Sequence, residues 1–204
     1  MTAASTTLMI LVAYGALAFG WRSWLQWRRT GSTGFRGLSG RVGSSEWNGG
    51  ALLIVALALA VAAPLVVVAG VLDPWPAPVE VTAVGGALLA VGFVGTLAAQ
   101  LSMGDSWRIG VDASERTDLV ARGLFRVSRN PIFTSMLVFL AGLALVLPTI
   151  VSALACAVAV IGLEIQVRLV EEPYLTKTHG DGYLRYAAQV GRFLPLLGRL
   201  RGGP

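Results

Sequence analysis

From residue 130 to residue 163 the chain carries no charged side chain. A water-soluble domain has no use for so long an uncharged run. As one helix rising about 1.5 Å per residue it would overshoot a hydrocarbon core of about 30 Å. Pro148 divides it. Residues 131–147 and 149–167 therefore read as two helices joined by a tight turn, the first slightly short for a membrane span.

Three more apolar runs precede this hairpin. The first covers 8–21 and continues through Arg22, Trp24 and Trp27, with the tryptophans at the membrane interface and Arg22 snorkelling towards water. It lacks a basic leader region and a clean small-residue cleavage site, so it reads as a retained span. The second covers 49–72, with a kink expected at Pro64. The third covers 79–103, where Gly85, Gly86, Gly92 and Gly95 permit close helix packing. Hydrophobic residues make up 55% of the chain and charged residues only 13%, against about 25% in soluble domains. The apolar runs are continuous rather than alternating, which excludes a β-barrel. The expected fold is all-α: a polytopic membrane protein of five transmembrane helices in a single membrane domain, 1–204.

Charge placement sets the orientation. All 16 basic residues fall within 22–41, 108–129 and 168–201. Five spans put those regions on one side, so the amino terminus is predicted outside and the carboxyl-terminal segment cytosolic, in the inner (plasma) membrane. The net charge of +5 is thereby accounted for as a topological signal, without a nucleic-acid partner. The single cysteine, Cys156, excludes an internal disulfide. The oligomeric state is not legible.

Four groups of residues can carry chemistry. Arg129-Asn130-Pro131 opens the fourth span. Proline suits the first helical position and asparagine the N-cap; equally, free N–H groups there, beside Arg129, can hold an anion. Glu171-Glu172 closes the fifth span. With Glu164 and Arg168 it can form an ion-pair ladder. Yet acids at a helix C-terminus oppose the macrodipole, which favours a bound cationic group. Tyr183-x-x-Tyr186, between His179 and Arg192, reads as a short amphipathic helix on the membrane surface. His179 has no second His or Cys nearby, so no metal site is expected. Residues 104–130 alternate acids and bases around Trp107, Ile109 and Leu124-Phe125, which suggests a folded connection packed on the helix ends.

Taken in order, Gly123-Leu124-Phe125-Arg126-Val127-Ser128-Arg129-Asn130-Pro131-Ile132-Phe133, then Glu171-Glu172, Gly180-Asp181-Gly182-Tyr183-Leu184-Arg185-Tyr186 and Arg192-Phe193-Leu194-Pro195 resemble the membrane-embedded methyltransferases that include isoprenylcysteine carboxyl methyltransferase and the phospholipid N-methyltransferases. The resemblance spans about 104–195, the methyltransferase-like core, and leaves 1–103 as three amino-terminal helices. It implies a cytosolic S-adenosylmethionine site, with Asn130, Pro131, Glu171, Glu172, Tyr183 and Tyr186 at the cofactor. Glu172, Arg129, Arg168 and Arg192 are implied for catalysis or acceptor contact, with Arg126 a further candidate. The acceptor would be a lipid-like or membrane-partitioned molecule. Asn130 and Phe133 stand where the family commonly has His and Tyr. Two rival readings are an NADPH-dependent lipid or sterol reductase and a non-enzymatic membrane scaffold or transporter.

Overall fold

The computed structural model describes residues 2–34, 37–107 and 119–200, and their regular structure is helical apart from one bridge between Ser128 and Gly191. Helix α1 (Ala3–Gly15) runs through a π turn, Ala16–Trp21, into α2 (Arg22–Thr30). Then come α3 (Ser45–Val68), α4 (Val79–Met103), α5 (Pro131–Val146) and α6 (Ile150–Ile165). A second π turn, Gln166–Glu171, joins α6 to α7 (Glu172–His179), and α8 (Asp181–Gln189) follows. The starts are locally encoded. Thr2 accepts from Ser5 N and Ser44 from Trp47 N. Thr149 and Ser152 cap α6 reciprocally. Helix α3 runs on through Pro64 to Val68.

Four helices are long and apolar enough to cross a membrane: Ala3–Thr30, Ser45–Val68, Val79–Ser106 and Ile150–His179. The expected fourth span, α5, has 16 residues, about 24 Å of helix against a core of about 30 Å. The protein is thus an all-helical, multi-pass membrane protein.

Helix directions follow from the contacts. Tyr14 meets Thr96, Ala18 meets Gln100 and Arg22 meets Gly104, always 82 residues apart, so α1–α2 and α4 run parallel. Gly85 meets Leu145, Gly92 meets Phe139 and Gly95 meets Ser135, an antiparallel sequence of contacts between α4 and α5. A Cβ on Gly142 would stand 2.5 Å from Leu89 N, and one on Gly92 would overlap the backbone of Phe139. The two backbones touch only because neither site has a side chain. Without a hydrophobic drive between helices in lipid, such close packing is what holds them. Gly86 takes no part, since a Cβ there meets nothing. Gly49 and Gly162 likewise seat α3 antiparallel to α6. At the centre Tyr14 stacks on Phe139, ring centroids 4.1 Å apart, with its hydroxyl 3.1 Å from Thr96 Oγ1.

One end of this bundle carries the turns without Lys or Arg, tied by Trp75 N donating to Pro148 O at 2.8 Å. The other end gathers Arg22, Gly104, the start of α5 and the end of α6. There Arg22 departs from expectation. It does not snorkel but is 1% exposed, lying over the Trp107 ring at 4.5 Å and donating to Gln26 Oε1 and Gly104 O. Trp107 and Gly104 give the guanidinium a face and an acceptor that lipid headgroups would otherwise supply. Trp107 and Phe125 are buried against the bundle end; residues 108–118 of the expected connection lie outside the described residues.

Candidate active site

The chain from Arg122 to Asn130 turns into α5 and is clamped there by the carboxyl-terminal segment. Arg129 N donates to Gly191 O (2.9 Å) and Asn130 N to Arg192 O (3.2 Å). Asn130 Nδ2 donates to Arg192 O as well (3.0 Å). Contrary to the expectation from sequence, the Asn130 side chain does not cap α5; it fastens the clamp, and α5 begins without a side-chain cap. Gly191 is required at this crossing, because a Cβ would overlap Leu194 O and lie 2.7 Å from Leu197 O.

Arg129 is the hub. Its Nη1 donates to Ala187 O (2.8 Å) and Val190 O (3.2 Å). Its Nη2 reaches Gly198 O (3.0 Å) and Glu172 Oε1 (2.5 Å). Its Nε is buried and has no partner among the described residues. Arg192 completes the triad, giving Nε to Glu172 Oε1 and Nη2 to Oε2. The hydrogen bond to Glu172, set against burial, holds the Arg192 guanidinium above its ordinary range.

Of the expected ladder, Glu164 pairs with Arg168, whereas Glu172 pairs with Arg129 and Arg192 instead. The Glu164–Arg168 pair lies on the exposed face. Arg168 itself sits in the π turn Gln166–Glu171, and Glu172 follows at its end. The extra residue per turn rotates Glu172 off that face and inward. The surface reading of the Tyr183 helix also changes. Tyr183 and Ala187 are buried, and Tyr186 Oη donates to Phe125 O at 2.6 Å, so α8 packs on the loop before α5. Burial raises both phenols above their ordinary range, with Arg129 opposing.

These elements wall a cavity of about 500 Å³, within the range of small-molecule sites. Its polar end is formed by Arg129, Asn130, Glu171, Glu172, Tyr183 and Tyr186, with Pro131 beside them. Its other end, inside the bundle, is apolar: Phe19, Leu53, Leu57, Ile132, Phe133 and Met136. Of the residues singled out from sequence, Arg192 stands behind the wall as Glu172's partner, while Arg126 and Arg168 are exposed and not in the lining. Glu46, Gln100, Gln166 and Trp107 also line it and were not anticipated. The two glutamines had one legible signal: an amide inside a membrane span is costly unless it faces a partner or a cavity.

Among the described residues no group of three His, Cys, Asp or Glu could hold a metal. No curated protein matches the chain. One protein family matches a stretch that carries part of this site, including Arg129, Asn130, Glu171 and Glu172. The matched stretch, 81–182, runs from α4 through the α5–α6 hairpin to Glu171-Glu172 and stops just before Tyr183; it is half of the 204 residues, and on it the chain belongs to the phospholipid methyltransferase family.

Proposed function

We propose that the protein transfers a methyl group from S-adenosylmethionine to a lipophilic, membrane-partitioned acceptor. The observation that carries this is the coincidence of the family match with a cavity polar at one end and apolar at the other. The polar end suits a soluble cofactor; the apolar end suits a molecule arriving from the bilayer.

The residues fit such a cofactor on an observation independent of the family. Arg129 Nε is a buried donor without a partner, a suitable mate for a carboxylate. The uncapped start of α5 adds N–H groups of the same polarity. Glu171, in the wall at the end of the π turn, suits a cationic group. Tyr183 and Tyr186, their rings 6.3 Å apart, offer aromatic faces to an adenosine or a sulfonium. Asn130 and Pro131 shape the floor.

Bound there, S-adenosylmethionine supplies an electrophilic methyl for in-line transfer to a lone pair of the acceptor. The chain contributes position and a site shielded from water. In this reading Glu172, Arg129 and Arg192 act mainly by fixing one another. Glu172 has both oxygens engaged, so it sets where Arg129 Nε points, and Arg192 holds Glu172. Arg168, on the outer face, would meet an acceptor headgroup only at the membrane surface. The basic end of the bundle, and the cavity with it, is taken as cytosolic.

Calorimetry on detergent-purified protein tests the reading. S-adenosylhomocysteine should bind, and NADPH at matched concentration should not. Binding of NADPH alone would replace this proposal with the reductase reading.

A further inference from the structure

Gln100 is the least explained polar group at the cavity. It lies on α4, is 1% exposed and lines the cavity wall beside Phe19 and Met103. Its Nε2 donates to Ala18 O at 2.9 Å. A backbone carbonyl can receive only the NH₂ side of the amide, so this bond fixes which way the group faces. The other atom, Oε1, is buried and receives no hydrogen bond from any described residue. A buried carbonyl oxygen without a donor is destabilising in a low-dielectric interior. Its persistence in the wall of a ligand cavity points to a donor that arrives with the ligand.

We infer that Gln100 determines acceptor specificity: Oε1 receives a hydrogen bond from an N–H or O–H on the acceptor's head. The inference rests on the methyltransferase reading and narrows it. Gln100 takes no part in the hydrogen bonds that join Arg129 to Glu172, and it lies on the helix that also supplies Thr96 to the apolar core. A molecule whose body fills the apolar end presents its head near α4. An amine or hydroxyl head supplies the missing donor and is oriented by it. A carboxylate has no proton at neutral pH and would set its oxygens against Oε1. Acceptors of the amine or hydroxyl class are therefore taken, and carboxylates are excluded. Gln100 itself stays neutral and accepts no proton; its role is to select and orient.

The test uses two pairs of probes in which methylation removes the donor: dodecanol against 1-methoxydodecane, and dodecylamine against dodecyltrimethylammonium. Affinities are measured for the wild type, Gln100→Met and Gln100→Glu, with and without S-adenosylhomocysteine. The wild type should favour the donor-bearing member of each pair by about tenfold, the scale of one hydrogen bond. Gln100→Met, similar in shape but without the acceptor, should lose that preference. Gln100→Glu, buried and protonated, can donate to Ala18 O and keep a carbonyl oxygen, so it should retain it. Equal affinities within each pair for the wild type, or an undiminished preference in Gln100→Met, would overturn the assignment. A protein that keeps the donor preference but ignores S-adenosylhomocysteine would overturn the cofactor reading alone. One that binds S-adenosylhomocysteine without donor preference would overturn only the role of Gln100.

Discussion

Arg192 holds Glu172 with two edges of its guanidinium, Nε 2.7 Å from Oε1 and Nη2 2.8 Å from Oε2, while Arg129 Nη2 shares Oε1 at 2.5 Å. One carboxylate thus joins three parts of the chain: the start of α5, the start of α7 and the carboxyl-terminal clamp. The buried guanidinium of Arg129 and the half-buried one of Arg192 depend on it. Removing one partner of such a group leaves charge without compensation, which costs far more than the intact group contributes.

Glu172→Gln should therefore destabilise the ligand-free protein by roughly 3 kcal/mol, seen as a lower melting temperature. Glu171→Gln should leave the melting temperature much closer to wild type and raise the dissociation constant of S-adenosylhomocysteine by about tenfold. The opposite pattern, a stable Glu172→Gln with weak binding, would make Glu172 the ligand-contacting acid of the pair.

Gly191→Ala tests the clamp. The new Cβ would overlap Leu194 O. Backbone is in the way, so no side-chain rotation relieves it, and the segment from 191 onward must shift. Arg192 then loses its register on Glu172, and Asn130 loses the Arg192 carbonyl it donates to. Limited proteolysis should cut after residue 190 in the variant but not in the wild type. The α4–α5 core, packed through Gly92 and Gly142, should stay resistant. An unchanged digestion pattern would show that the clamp tolerates the methyl group.

Much of this could be read from the chain, and the parts that could not share a cause. Apolar runs, prolines and capping residues are local signals, so the helices, the hairpin at Pro148 and the Gly92 contact were legible. Arg22 was misjudged because its environment is made by Trp107 and Gly104, more than 80 residues away. The Glu164–Arg168–Glu172 face fails because a π turn intervenes, and no residue type announces one. Asn130 has the chemistry of an N-cap, but Arg192 O competes for its amide. Gln100 and Gln166 were visible as polar residues in apolar runs; that they line the cavity with Arg129 required the fold.

Tyr186 predicts an alkaline effect. Burial pushes its phenol from 10.0 up to about 12, so the folded protein keeps it neutral longer than the unfolded chain does. Below pH 10 both states are protonated and its contribution to stability is fully present. As pH rises from 10 towards 12 the unfolded chain ionises first and that contribution is lost. Melting temperature should fall across this window, and less steeply in Tyr186→Phe. The variant should also begin lower at neutral pH, by about 1 kcal/mol for the lost bond to Phe125 O. Parallel profiles would mean that Tyr186 does not titrate in this range.

The orientation can be settled with two cysteines. Basic residues at one end of the bundle and turns without Lys or Arg at the other predict that the cavity end is cytosolic. Val42 is 82% exposed in the loop before α3, at the cavity end. Asp73 is exposed in the turn between α3 and α4, at the opposite end. In a Cys156→Ala background, Asp73→Cys should react with a membrane-impermeant maleimide in intact cells. Val42→Cys should react only once the membrane is opened. The contrast discriminates because both sites lie in loops, so a difference in labelling reports the side of the membrane and not burial. Labelling of Val42→Cys alone in intact cells would invert the chain, put the Arg129 cavity outside, and remove it from the cytosolic pool of any nucleoside cofactor.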